Sequence, residues 1–376
     1  MPGPGEVGRL KEEAQSTLGI VAAFEAIGKA EIVMGAAEHM LKQAGEAFQD
    51  KVQSLPKSTA ATSSSASAGA AVGSISESTE PCVVAQQADV CILWKPAGWA
   101  VTVGSKDRLA LAEDLEEHAN EDHRKQTRSS DTNQLRDWIV AKLGGPARPI
   151  AQDNNFMHGL VHRLDRETSG LLACARTYRG FYIAQLQFVS RRVTKEYLCM
   201  CQGHFAEAAK NGGADGLRES VLLTAPLRAA LEEGVAGKRA LISIVDEHAG
   251  VRAVTEVLSA YHLISPQGQP ISLAEVKLRT GRLHQIRAHF HHAGHSLIGD
   301  MLYGGQAACP AWCPRLFLHA HRLALDVGDG PLEAIAPLPE DLQELLQGIV
   351  RMSARLGGQP ALGLQRWLPH QDDVEG

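Results

Sequence analysis

The sequence predicts an α+β protein, and two observations carry the prediction. Short apolar runs such as "ADVCILWKPAG" and "ISLAEVKLRTG" end in Pro-Gly or Gly turns and read as strands. Between them lie "YRGFYIAQLQFVSRR" and "RLHQIRAHFHHAG", whose apolar residues recur at three- and four-residue spacing and read as helices. The chain has 376 residues, 44% of them apolar. That is enough for one large domain with extensions, or for two smaller ones.

In chain order, residues 1–53 read as a helical N-terminal extension. They are rich in Ala, Glu, Lys and Leu with loose apolar spacing. Residues 54–81, "LPKSTAATSSSASAGAAVGSISESTEP" in the main, cannot bury enough surface to offset ordering entropy and read as a flexible linker. The main domain is expected over 82–350 and a C-terminal tail over 351–376. Within the domain, "ADVCILWK" is a strand leading into a Pro-Gly loop. "SKDRLALAEDLEEHANEDHRKQTRSSDTN" is a charged surface insertion. "MHGLVHRLDRETSGLLACART" reads as strand, charged loop, strand. The next helix shares Phe181, Ala184 and Phe188 on one face, and "TKEYLCMCQG" returns to strand. "ISLAEVKLRTG" is a further strand. The helix after it places Leu283, Ile286 and Phe290 together, with Gly294 as its stop.

The net charge of -6 gives no global sign of a nucleic-acid partner. Seven scattered cysteines argue against a disulfide framework and for a reducing compartment. No run reaches the roughly 20 apolar residues that span a bilayer. The start has no apolar signal core and is too acidic for a typical transit peptide. An intracellular protein, cytoplasmic or organellar, without a membrane partner and monomeric, is therefore expected.

Two charged segments interrupt the apolar pattern. In "HRLDRETSG", Asp165 follows Leu160, Val161 and Leu164, which puts its carboxylate at the mouth of an apolar wall. Arg163 stands two residues away, on the same side if the turn is extended. Thr168, Ser169 and Gly170 form a polar bend. A structural ion pair at a strand end is the competing reading. In "RTGRLHQIRAHFHHAG", Arg279, Arg282 and Arg287 gather at a strand-to-helix transition, with Arg287 one turn after Leu283. A solvated basic face is the alternative there. Tyr197, in a strand beside Lys195, reads alone as core.

Together the segments resemble the RluA family of pseudouridine synthases, in the family's order, from about Ala88 to Leu345. "KPAG" at Lys95–Gly98 resembles the first motif, "HRLDRETSGLL" the signature around the catalytic aspartate, and "KEYLCM" the Lys-x-Tyr strand. "RTGRLHQIRAHFHHAGHSLIGDMLYG" is similar to the long third motif, and "RLFLHAHRLAL" and "APLPEDL" to the closing segments. The resemblance implies a pseudouridine synthase catalytic domain, α+β, with a mixed, largely antiparallel sheet flanked by helices and loops. It puts the catalytic roles on Asp165, Tyr197 and Arg287. RNA-binding roles are expected at Arg163, His162, Arg166, Lys195, Arg282, His284 and Lys95. The stretch between Gly98 and His162 is longer than in the family pattern, and the basic character of an N-terminal S4 RNA-binding domain is missing.

What the resemblance implies is isomerisation of uridine to pseudouridine in structured RNA, rRNA or tRNA, with no cofactor and no metal. The carboxylate of Asp165 would act on C1′, on C6 or at C2′, opposed by the charge of Arg287. Tyr197 would offer a ring for an extruded uracil. Arg163 would fill the place of the extruded base, since a guanidinium is planar and stacks. Arg163, Arg166, Arg176, Arg191, Arg192 and Lys195 outnumber Asp165, Glu167 and Glu196 and give a local field for phosphates. An RNA-binding protein of this fold that has lost catalysis is the alternative. A metal enzyme built on His284, His289, His291, His292, His295, Cys309 and Cys313 lacks HExxH or paired CxxC spacing. A kinase-like reading of "HRLD" lacks a Gly-rich loop and "DFG".

Overall fold

In the computed structural model of this chain, the described residues are 78–101, 133–205, 220–233, 239–328, 330–356 and 362–368. The expected helical extension, all but the end of the expected linker, and all but the last residue of the charged insertion lie outside them.

The main sheet has nine strands. Eight run in the spatial order β1 (Cys82–Gln86), β2 (Val90–Lys95), β3 (Ser169–Ala175), β10 (Leu318–Asp326), β4 (Thr194–Gln202), β9 (Pro270–Leu278), β8 (Val254–Ile264) and β5 (Val221–Thr224). β11 (Pro331–Ile335) pairs with the second half of β10. The β3–β10 ladder is parallel and the others are antiparallel. A separate hairpin joins β6 (Leu227–Glu233) to β7 (Arg239–Val245). The fold is therefore α+β around a mixed, largely antiparallel sheet.

The apolar runs of β2 and β3 follow from burial on both sides. All six residues of "VCILWK" and all seven of "SGLLACA" are buried. Alternate side chains join different cores, as a period of two requires. Cys91, Leu93, Leu172 and Cys174 pack with Tyr197, Leu164, Ile286 and Phe290. Val90, Ile92, Trp94, Leu171 and Ala173 pack with Leu323 and Leu325. Helix α1 (Leu135–Leu143) gives Leu135 and Ile139 to the first core, and α2 (Tyr178–Val189) gives Ala184 to the second. The α2 start is capped by Thr177, whose hydroxyl accepts the Gly180 N–H at 3.0 Å.

Gly170 makes the parallel pairing feasible. Its φ is +121°, and a Cβ there would collide with the Ala320 backbone of β10. Only glycine tolerates both conditions.

Two sequence expectations are corrected here. Residues 154–159 do not form a strand before the charged loop. They form a 3-10 turn in which Met157 and His158 both take left-handed backbone angles, and strand pairing is limited to one bridge, Leu160 to Cys174. Nor does position 350 mark the start of a tail. Helix α5 (Glu340–Arg355) runs across it and packs Leu342, Leu346 and Ile349 on Leu198, Met200 and Leu273. After it, Leu364 is buried, and Arg366 donates to Glu275 (2.6 Å) and to the Tyr261 hydroxyl (3.2 Å).

Candidate active site

The loop that carries Asp165 is tied down on both flanks. Upstream, Leu160 and Leu164 are buried in the first core. His162 Nε2 accepts the Ala173 N–H at 2.7 Å, and its ring packs 4.6 Å from Phe188. Downstream, the Thr168 N–H donates to the Asp165 carbonyl (3.1 Å) and the Gly98 N–H to the Arg166 carbonyl (2.8 Å). The expected bend bonds elsewhere as well, since Ser169 Oγ lies 3.0 Å from His319 Nδ1 on β10. Asp165 itself keeps 17% of its side chain exposed.

Opposite stands α3 (Gln285–His292). Its start is set by Gln285, which is buried and uses both ends of its amide. It accepts from the Thr280 hydroxyl (2.7 Å) and the Arg282 N–H (3.0 Å), and donates to the Val254 carbonyl and the Thr255 hydroxyl (3.0 Å each). His284, just before the helix, is held in the left-handed region at φ 47°. Its Nε2 lies 3.7 Å from Asp165 Oδ1. Burial pushes His284 below the ordinary histidine range, against the opposing pull of Asp165.

Arg287 reaches Asp165 with one contact, Nη1 to Oδ2 at 3.3 Å. Its tighter partner is Asp300, which it grips through Nε and Nη2 at 2.8 Å each. Asp300 is wholly buried and also accepts the N–H groups of Leu302 and Tyr303, capping the short helix α4 (Met301–Gly304). The Tyr303 ring lies 5.1 Å from the guanidinium. Its hydroxyl accepts the Ser243 N–H of β7 (2.8 Å) and sits 3.3 Å from His284 Nδ1. The paired carboxylates hold Arg287 charged in spite of its burial. Tyr197 is buried in the first core, and burial together with the nearby Asp165 charge keeps its hydroxyl protonated.

The structure thus groups Asp165, Arg287, His284 and Tyr197. Arg163 and Arg166 are exposed on the same loop, and Arg166 pairs with Glu167 at 2.9 Å. Lys195 and Arg282 line a neighbouring cavity.

Two residues expected to bind RNA do otherwise. Lys95 is fully buried, and its Nζ donates to the carbonyls of Pro96, Trp99 and Arg166 at 3.0, 3.0 and 3.1 Å. Burial pushes its pKa down to about 7, while the three acceptors and the Asp165 charge favour the ammonium. Lys95 therefore fastens the Pro-Gly loop to the Asp165 loop. His162 is likewise structural, since burial pushes it down to about 3 and its Nε2 is engaged as an acceptor.

Asp300, Tyr303 and Ser243 were not anticipated. The one signal available for Asp300 was an acid directly before a short helix, a capping position. The histidines weighed as metal ligands have separate partners: His289 meets Thr255 and Ala225, His291 meets Ser296, and His295 meets Gln202. Among the described residues, Glu196, Glu275 and His321 also lie together, but cations already pair both carboxylates: Arg322 and Lys277 on Glu196, Arg366 on Glu275.

Residues 89–292, more than half of the chain, match the sequence family described as RNA pseudouridylate synthase. The chain belongs to the RluA family of pseudouridine synthases. The ribosomal large subunit pseudouridine synthase D of Zymomonas mobilis is 32% identical over 218 residues, 55% of this chain and 58% of that protein. An uncharacterized RNA pseudouridine synthase of Helicobacter pylori J99 is 34% identical over 179 residues, 47% of this chain and 62% of that protein. The chain thus spans less than two thirds of these family members. Human RNA pseudouridylate synthase domain containing 1, a solved structure, superposes with a TM-score of 0.47 at 21% identity, covering 72% of this chain and 94% of that one. Among the described residues, no helix is long and apolar enough to cross a membrane.

Proposed function

We propose that this protein isomerises uridine to pseudouridine in structured RNA, with ribosomal RNA preferred over tRNA as the target. The N1–C1′ bond of the uridine breaks, the uracil turns, and C5 bonds to C1′. The proton on C5 leaves and N1 gains one, so atoms and electrons balance within the nucleoside. Asp165 is the carboxylate of the reaction. Arg287 holds it, Tyr197 packs against the uracil, and Arg163 occupies the stack that the base leaves.

One observation carries this reading. Asp165 has one long contact to an arginine that keeps its shorter bonds for another acid. A partly buried carboxylate with spare acceptor capacity, beside an aromatic ring, is equipped to meet a ribose or a uracil. A uridine within a helix cannot reach such a carboxylate unless it is extruded. Family membership supports the reaction, and the names of relatives that modify the large ribosomal subunit support the target.

The test is tritium release from RNA labelled at C5 of uridine, with pseudouridine mapped in cellular RNA with and without the gene. Release, and loss of a mapped site in the deletion, are expected. RNA binding without release from any RNA fraction would identify a binding protein that has lost catalysis.

A further inference from the structure

The isomerisation includes one task that no residue named so far performs. Once C5 has bonded to C1′ it still carries its proton, and a base must take it. Among the described residues gathered at Asp165, Arg287 is charged and has no acceptor atom. Burial and the Asp165 charge keep the Tyr197 hydroxyl protonated. Lys95 Nζ is engaged by three carbonyls. Two acceptors remain, Asp165 itself and His284.

The surroundings of His284 are those of a base. Tyr303 decides which ring nitrogen carries the proton. Burial keeps the Tyr303 hydroxyl protonated. That hydroxyl accepts the Ser243 N–H at 2.8 Å and donates its own proton to the Ser243 carbonyl at 3.1 Å. What it still presents to His284 Nδ1, at 3.3 Å, is a lone pair. Nδ1 therefore carries the ring proton, and Nε2, 3.7 Å from Asp165 Oδ1, is bare. Burial disfavours a second proton on the ring. Ser243 is buried and also donates its hydroxyl to the Leu283 carbonyl at 2.6 Å. One residue of β7 thus fixes both the tyrosine and the backbone just before His284. His284 itself sits at φ 47°, a left-handed angle that suits glycine far better than histidine. A side chain held at such an angle points to a function for it.

We propose that His284 is the base that removes the C5 proton. This rests on the isomerase reading and assigns one step within it. When the detached uracil anion attacks C1′ through C5, that carbon bears both C1′ and its proton, and N1 becomes doubly bonded to C6. Nε2 then takes the proton. The C5–H electron pair becomes the C5=C6 double bond, and the π pair between N1 and C6 moves to N1, which takes a proton from water. The imidazolium gives its proton back to water, so the enzyme ends as it began. At that moment C5 stands where N1 stood, against C1′ and beside Asp165, within reach of a nitrogen 3.7 Å from Oδ1. Asp165 serves the bond that breaks, and His284 serves the proton that leaves.

The test is single-turnover pseudouridine formation by the whole chain on ribosomal RNA and tRNA transcripts made with protium or deuterium at uridine C5. RNA affinity is measured alongside. H284G suits the backbone angle and leaves room for a small base. It is expected to react about 100-fold slower than wild type, with a deuterium effect about twofold larger. Its RNA affinity should stay within about twofold of wild type. Imidazole in the buffer should restore its rate about tenfold. Y303F leaves His284 in place but removes what fixes its proton, and keeps the test valid should H284G fold poorly. It should slow the reaction about tenfold and also raise the deuterium effect. Slow variants with neither a larger deuterium effect nor rescue would overturn the proposal and leave His284 to position Asp165. Loss of RNA affinity in step with rate would overturn it too, and make His284 an RNA-binding residue. A wild type that converts neither RNA would remove the isomerase reading and this proposal together. An active wild type with an equally active H284G would remove this proposal alone.

Discussion

Arg287 stands between two carboxylates, and they differ in every respect that matters for chemistry. Asp300 has no exposed side-chain surface, accepts two guanidinium bonds at 2.8 Å and caps a helix with two backbone N–H groups. Asp165 has one guanidinium contact at 3.3 Å, an imidazole at 3.7 Å and an open edge. The satisfied acid is committed to structure, and the under-satisfied one keeps its lone pairs for something else. An ion pair at an active site can thus be sorted by counting what each acceptor still lacks.

Exchanging one acid at a time should separate the two roles. Asp165→Asn is expected to abolish pseudouridine formation and to shift unfolding free energy by no more than about 1 kcal/mol, because its pairing is long and partly solvated. Asp300→Asn should do the opposite in emphasis. It breaks a buried pair and is expected to cost about 3–5 kcal/mol by denaturant unfolding. Similar stability losses for both would erase the distinction.

The supports of the Asp165 loop form the next test. Lys95→Met leaves three carbonyls without their donor, and each unsatisfied buried acceptor costs about 1–3 kcal/mol. Since the change also removes a buried charge, a net loss of about 3 kcal/mol is expected, with turnover falling as the Arg166 carbonyl loses its anchor. Arg163→Ala should leave stability alone and lose most single-turnover activity on a stacked stem-loop. On an RNA whose uridine is already bulged the loss should be clearly smaller, since extrusion from a stack costs a few kcal/mol. Equal losses on both RNAs would mean that Arg163 serves Asp165 or the phosphates and not the extrusion.

The smallest effect concerns acid. His162 titrates at about 3 when folded, well below the 6.5 of an unperturbed histidine. Between these values the unfolded chain binds the extra proton. The His162 contribution is therefore fully present above about pH 6.5 and is lost as pH falls toward 3. At pH 5 the loss is about 2 kcal/mol. His162→Gln keeps an acceptor for Ala173 and should flatten the stability slope between pH 7 and 5 by about one proton; an unchanged slope would show that the ring is not held neutral.

Much of this was legible in residue order. The runs in β2, β3, β4 and β9 are apolar because a sheet covered on both faces permits nothing else, and α2 and α3 show their periodicity directly. The segment before Asp165 misled, because an apolar stretch cannot reveal that Met157 and His158 turn left-handed. The site was legible through motifs that put Asp165, Tyr197 and Arg287 in one family pattern. Lys95 was misplaced because a lysine at the end of a strand looks solvent-bound until the three carbonyls around it are seen. Asp300 could not be chosen over other acids, since its partner is set by the packing of α3 on α4.

The position of β10 has a consequence for how the protein comes off the ribosome. Asp165 belongs to the half-sheet β1–β2–β3, and Arg287 follows 122 residues later, after the half-sheet β4–β9–β8–β5. In the main sheet, the strand that joins the halves is β10, which begins only at Leu318. Domains fold as their segments emerge from N- to C-terminus, and distant pairings close last. A nascent chain that has already exposed both residues therefore still lacks the seam that brings them together. Competence arrives only once β10 is made, and a message truncated before that seam would yield two half-sites with open strand edges.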